Sequence, residues 1–127
     1  MYSGRLLILE DDPIVGKIIQ MIATKSGLDA RLVAHAHEFF NAIEEWQPTH
    51  IALDLVMPEM DGAQVLIELS KRNSSAKIII TSGMGPLELD MARRSANEHG
   101  LNVIGVLAKP FSVAALRAHL QEPAATT

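Results

Sequence analysis

Five residues scattered along the chain have the types needed to do chemistry together: Asp11, Asp12, Asp54, Ser82 and Lys109. Each lies within or directly after a short apolar run, in "RLLILEDD", "HIALDLV", "AKIIITS" and "NVIGVLAK". Three carboxylates, one hydroxyl and one ammonium at the rim of an aliphatic sheet make an anion-rich group. Two unit charges about 4 Å apart repel by about 4 kcal/mol at an effective dielectric near 20. One lysine does not offset three acids, and a hard divalent cation would. Oxygen-only ligation with few protein carboxylates suits Mg²⁺, which keeps several waters and bridges to phosphate. Zinc is a poor fit, because the chain has no cysteine and none of the five residues is a histidine. An aspartate beside Mg²⁺ and a lysine is set up as a nucleophile towards a phosphoryl group, which makes Asp54, in "ALDLVMPEMDG", the residue expected to be modified.

These residues converge only if the chain alternates strands with helices, and its pattern does. The runs 5–10, 30–34, 50–56, 76–81 and 102–108 read as strands, and 12–27, 38–46, 62–72, 86–99 and 112–121 as helices. Asp12 suits an N-cap, Pro13 the first helical position, and Gly27 the end of the first helix. Ile14, Ile18 and Ile22 are expected on its buried face, and Val65, Leu66 and Leu69 on that of the third helix. Phe39, Phe40, Ile43 and Trp46 read as core. Strands rich in aliphatic residues with intervening helices predict an α/β doubly wound five-stranded parallel sheet flanked by five helices. In such folds ligands gather beyond the carboxyl ends of the strands. Asp11, Asp12, Asp54, Ser82 and Lys109 all fall there.

Composition narrows the alternatives. At 127 residues one domain is expected, over 1–122, with 123–127 a flexible tail. Hydrophobic residues make up 48% and aromatics 4%, so the core is aliphatic. A formal charge of -4 without a basic cluster argues against direct nucleic-acid binding. No apolar run approaches the roughly 20 residues that span a bilayer, and no signal peptide is evident; a cytoplasmic location is expected. His35 and His37 read as exposed residues in a link, Met57, Met60 and Met84 as gap-fillers, and "SGMGP" as a turn.

The motifs "LEDD", "DLVMPEMDG", "TSG" and "KPF", in this order over nearly the whole chain, resemble the receiver domain of two-component response regulators. The resemblance implies a flavodoxin-like strand order 2-1-3-4-5 and no enzyme activity of its own. It implies a sensor histidine kinase or histidine phosphotransfer protein as donor to Asp54, with an output domain or a homodimer downstream. Asp11 and Asp12 match the metal-binding acids, Asp12 as the more direct ligand, joined by Asp54 and the Val56 carbonyl. Ser82 matches the switch hydroxyl, and Lys109, Ser82 and Gly83 the phosphoryl-binding groups. Lys109–Pro110 matches a cis peptide.

Three departures from the pattern alter the expectations. Val106 stands where an aromatic residue often moves with the switch hydroxyl. Val56 and Met84 stand two positions after Asp54 and Ser82, where polar groups orient an attacking water in many receivers, so slow self-dephosphorylation is expected. The span from Ser82 to Lys109 is longer by about one to two helical turns. With "SG" and "HGLNVIGVLAKPF", it is similar to receivers attached to EAL-type cyclic-di-GMP phosphodiesterase domains. A phosphorylation-independent adaptor is the alternative. A Mg²⁺-dependent hydrolase is disfavoured, since "DLVMP" lacks the second downstream aspartate of haloacid-dehalogenase-type phosphatases.

Overall fold

The computed structural model describes residues 4–58, 60–72 and 74–121, so the expected tail at 123–127 lies outside the described residues. In chain order the elements are β1 (Arg5–Leu9), α1 (Pro13–Lys25), β2 (Asp29–Val33), α2 (Ala36–Trp46), β3 (His50–Asp54), β4 (Val56–Met57), β5 (Met60–Asp61), α3 (Gly62–Lys71), β6 (Lys77–Ser82), α4 (Pro86–Glu98), β7 (Asn102–Ala108) and α5 (Val113–Leu120). The five long strands form one parallel sheet in the order β2-β1-β3-β6-β7, which is 2-1-3-4-5 when these strands alone are counted. The antiparallel pair β4–β5 directly follows the end of β3.

Side chains alternate between the two faces of the sheet, as a period of two requires. Leu7, Leu9, Ile51, Leu53, Ile78 and Ile80 pack on one face with Phe39 of α2, Leu66 and Leu69 of α3 and Leu89 of α4. Leu6, Ile8, Ala52 and Ile79 pack on the other with Ile19 and Ile22 of α1 and Leu116 and Leu120 of α5. Both faces are therefore covered, and the polar residues of the middle strands can emerge only at their ends.

The third strand ends at Asp54, short of the expected 56, with Val56–Met57 in the separate β4–β5 pair, and two further local features differ from expectation. The buried face of α1 is Gly16, Ile19, Ile22 and Ala23, while Ile14 and Ile18 are exposed. A strict spacing of four drifts by about 40° per step on a helix of 3.6 residues per turn, so Ile14 and Ile22 cannot share one contact line. The second is in β7. Ile78 pairs with Val103 but Ile79 pairs with Gly105, which leaves Ile104 as an extra residue in a bulge. Val103 and Val106 pack on the α4 side, and Ile104 and Leu107 on the α5 side. A Cβ at Gly105 would lie 2.5 Å from the His119 ring, so a larger residue there would have to displace that ring. The long Ser82–Lys109 span is thus occupied by a 13-residue α4 and by this bulge.

Candidate functional site

Asp54 is the last residue of β3, a strand buried along its whole length. Its carboxylate is 3% exposed. Asp54 Oδ1 accepts the Val56 amide at 2.9 Å and Oδ2 accepts Lys109 Nζ at 3.0 Å. The chain can turn so sharply after Asp54 because α3 begins on Gly62, where a Cβ would come within 2.6 Å of the Leu55 carbonyl oxygen. Asp61 caps that helix, accepting the Ala63 amide at 3.0 Å.

Lys109 reaches the same place from the end of β7. Its Nζ donates to Glu10 Oε1 at 2.6 Å as well as to Asp54, and its backbone amide donates to the Ser82 carbonyl at 2.8 Å. The Lys109–Pro110 peptide is cis. Ser82 is fully buried at the end of β6, one residue beyond Thr81, the partner of Asp54 in the sheet. Its hydroxyl oxygen accepts the Met84 amide at 3.2 Å. Gly83 follows, exposed, with open space around its α-carbon. Val106 is half-buried against the core beside α4.

The acids at the end of β1 divide differently from expectation. Glu10, Asp11 and Asp54 each offer an oxygen within 4.8 Å of the others, among the described residues the group able to hold a metal ion. Asp12 does not join them. Its Oδ1 accepts the Ile14 and Val15 amides at 2.9 and 3.4 Å and caps α1. The two roles compete, and the helix start decides between them. Pro13 at the first helical position makes Asp12 the N-cap, which leaves Glu10 and Asp11 for the site. That signal was present in "LEDDP", and it was the one that could have found Glu10.

The electrostatics are unbalanced. The Glu10 side chain is 1% exposed, and burial pushes its carboxyl above the ordinary range, against the pull of Lys109 and the Asp12 amide. Burial alone would lower Lys109, but the hydrogen bonds and charges of Glu10 and Asp54 outweigh it and raise its pKa. One ammonium is shared by two buried carboxylates with a third, exposed Asp11 beside them. An all-oxygen donor set with surplus negative charge fits a hard divalent cation such as Mg²⁺.

A family model described as the response regulator receiver domain matches residues 6–121. The chain is 30% identical over 112 residues to the chemotaxis protein CheY of Listeria monocytogenes, covering 84% of this chain and 87% of that one. It is 25% identical over 117 residues to the sporulation initiation phosphotransferase F of Bacillus subtilis, covering 92% and 90%. A solved response regulator from Colwellia psychrerythraea superposes with a TM-score of 0.81 at 31% identity, covering 92% of this chain and 93% of that one.

Proposed function

Because this chain belongs to the response regulator receiver domain family, we propose that Asp54 is its phosphoacceptor and that a sensor histidine kinase or histidine phosphotransfer protein supplies the phosphoryl group. The observation that carries this reading is the single Lys109 ammonium bridging Glu10 and Asp54 at the sheet edge, with Asp11 in reach. An Asp54 oxygen forms the new bond to phosphorus as the bond from phosphorus to the donor nitrogen breaks. Asp11, Asp54 and the Val56 carbonyl would hold Mg²⁺, with Glu10 orienting its waters. When bound, that ion neutralises charge on the transferred oxygens. Lys109 pairs with one phosphoryl oxygen, and the Gly83 amide and Ser82 hydroxyl serve the others.

Ser82 links the site to the surface. Its hydroxyl holds the Met84 amide, and bonding to a phosphoryl group releases that contact and moves the loop before α4. With Val106 in place of an aromatic, the loop itself carries the signal to the α4, β7 and α5 surface, where Leu87 and Met91 are 70% and 60% exposed. Complete reversal of a 1:99 population needs about 5.5 kcal/mol of differential stabilisation. Val56 and Met84 cannot orient water, so the acyl phosphate decays slowly, and a half-life of seconds in purified protein contradicts this. Ile14, Ile18 and Met21 form an exposed apolar stripe on α1. That helix starts beside the acidic cluster, which supports it as the donor's docking face.

The output is a separate domain, an EAL-type cyclic-di-GMP phosphodiesterase among the options, or a second copy of the chain. Among the described residues no helix is long and apolar enough to cross a membrane, and the reading places the chain in the cytoplasm with its donor. Incubation with acetyl phosphate and Mg²⁺, followed by intact-mass measurement, should add one phosphoryl group to wild type and none to Asp54→Asn. Addition that survives this substitution overturns the assignment. A competing reading, motivated by the valine at position 106, is a phosphorylation-independent adaptor, which would bind its partner equally well as Asp54→Ala.

A further inference from the structure

Strand β7 delivers Lys109 to the acceptor cluster in a register set by its bulge. Ile78 pairs with Val103 and Ile79 with Gly105, and from there the ladder runs on to Ser82 opposite Ala108. That register sets the Lys109 amide on the Ser82 carbonyl at 2.8 Å and its Nζ on Glu10 and Asp54. Had Ile79 paired with Ile104 instead, Leu107 would stand opposite Ser82, and every side chain beyond that point would change face. The break shows in the side chains themselves. Ile104 and Gly105 are consecutive yet both face α5, Ile104 within the apolar cluster on that side and Gly105 towards His119. Alternation then resumes one step out of phase, with Val106 on the α4 side and Leu107 on the α5 side.

We infer that His119 of α5 is a positioning residue for Lys109, holding the β7 bulge in place by filling the notch over Gly105. The ring is half-buried, and its Nδ1, Cε1 and Nε2 lie 2.6, 2.5 and 2.6 Å from where a Cβ on Gly105 would stand. The imidazole thus takes the space of the side chain that the second bulge position lacks. A bulge leaves one residue unpaired and disrupts the ladder locally, and a glycine there adds backbone freedom. Both loosen the strand. The ring opposes them from a fixed support, because α5 is anchored in the core by Leu116 and Leu120 on either side of His119. This inference rests on the reading of Lys109 as a partner of the phosphoryl group, and it adds a residue on another element that keeps the lysine where the reaction needs it.

The test compares wild type, His119→Ala, His119→Phe, Gly105→Ala and the double variant Gly105→Ala/His119→Ala, with far-UV circular dichroism to verify each fold. Acylation of lysines by an N-hydroxysuccinimide ester, read site by site by peptide mass spectrometry, reports whether Lys109 is held. Lys77 is the internal control, since it pairs with Asn102 before the bulge. His119→Ala should speed acylation of Lys109 on the order of tenfold, leave Lys77 unchanged, and slow phosphorylation of Asp54 by acetyl phosphate by up to about 10²-fold. Gly105→Ala, which displaces the ring, should shift both readouts the same way. His119→Phe keeps a ring in the notch and should stay near wild type, and in the double variant the alanine Cβ should restore part of the loss. Unchanged Lys109 acylation in His119→Ala, or a rise shared equally by Lys77, overturns the inference. Acylation needs neither Mg²⁺ nor a phosphodonor, so a wild type that acetyl phosphate fails to modify overturns the Asp54 reading alone.

Discussion

At the amino edge of the sheet, His50 is buried beside Thr49 and Arg5. The Arg5 amide donates to Thr49 Oγ1 at 2.8 Å, that hydroxyl donates to the Arg5 carbonyl at 3.2 Å, and His50 Nδ1 lies 2.8 Å from the same oxygen. All three bonds are satisfied at once when the neutral imidazole carries its proton on Nδ1. At the carboxyl edge, Glu10 and Asp54 are equally buried but share one lysine. The first cluster closes on itself; the second is left in need of positive charge. Similar burial thus has opposite consequences, and the contrast separates a self-satisfied part of the sheet from one that carries surplus negative charge.

The largest effect is expected where the closed cluster is opened. Thr49→Val leaves the Arg5 amide and the His50 ring without partners and should cost about 2–4 kcal/mol, read by urea denaturation. A loss below about 0.5 kcal/mol would mean that the bonds contribute little. Gly62→Ala tests the scaffold under Asp54. Its Cβ meets the Leu55 carbonyl oxygen, and backbone must shift, at about 1–3 kcal/mol.

At the carboxyl edge the sign reverses. Lys109 attracts Asp54 by ~5.5 kcal/mol at 3.0 Å and a dielectric near 20. Glu10, with an oxygen within 4.8 Å, repels it by about 3.5 kcal/mol at the same dielectric, and the exposed Asp11 adds a smaller repulsion that solvent screens. Two like charges and the desolvation of a nearly fully buried carboxylate together oppose the attraction of the one lysine. Asp54→Ala should therefore raise stability in Mg²⁺-free buffer, measured by the same denaturation, even as it removes the proposed acceptor.

The smallest expected difference is in pH dependence, and the two edges again oppose each other. Burial first, and the Lys77 charge second, hold His50 below its ordinary 6.5. Below pH 6.5 the unfolded chain takes up a proton that the folded ring resists, so stability complete above 6.5 is lost as pH falls. Glu10 is held above its ordinary 4.5 by burial. Its contribution is complete below 4.5 and is lost as pH rises through the folded value. His50→Gln should flatten the fall in unfolding midpoint from about pH 7 to about pH 5, and an unchanged slope would remove His50 as its cause.

The same division explains what could be read from residue order. The middle strands are covered on both faces, so their centres appear as unbroken aliphatic runs such as Ile78–Ile80, and strand ends mark the places where polar side chains emerge. Asp54, Ser82 and Lys109 were legible for that reason. Glu10 was not, because three consecutive acids admit two pairings and only the helix cap on Asp12 excludes one. The β4–β5 pair and the bulge at Ile104 rest on pairings between backbone segments that side-chain periodicity does not encode. The α1 contact face failed for a geometric reason, the 40° drift of a four-residue spacing.

Unfolding free energy measured with and without Mg²⁺, for wild type and Asp54→Ala, probes the imbalance at the carboxyl edge directly. Wild type should gain stability with Mg²⁺ concentration, by about 2.7 kcal/mol at a hundredfold excess over the dissociation constant, and the variant should gain much less. A wild type indifferent to Mg²⁺, or an Asp54→Ala protein less stable than wild type without it, would contradict the assignment of this cluster as an ion-dependent acceptor site.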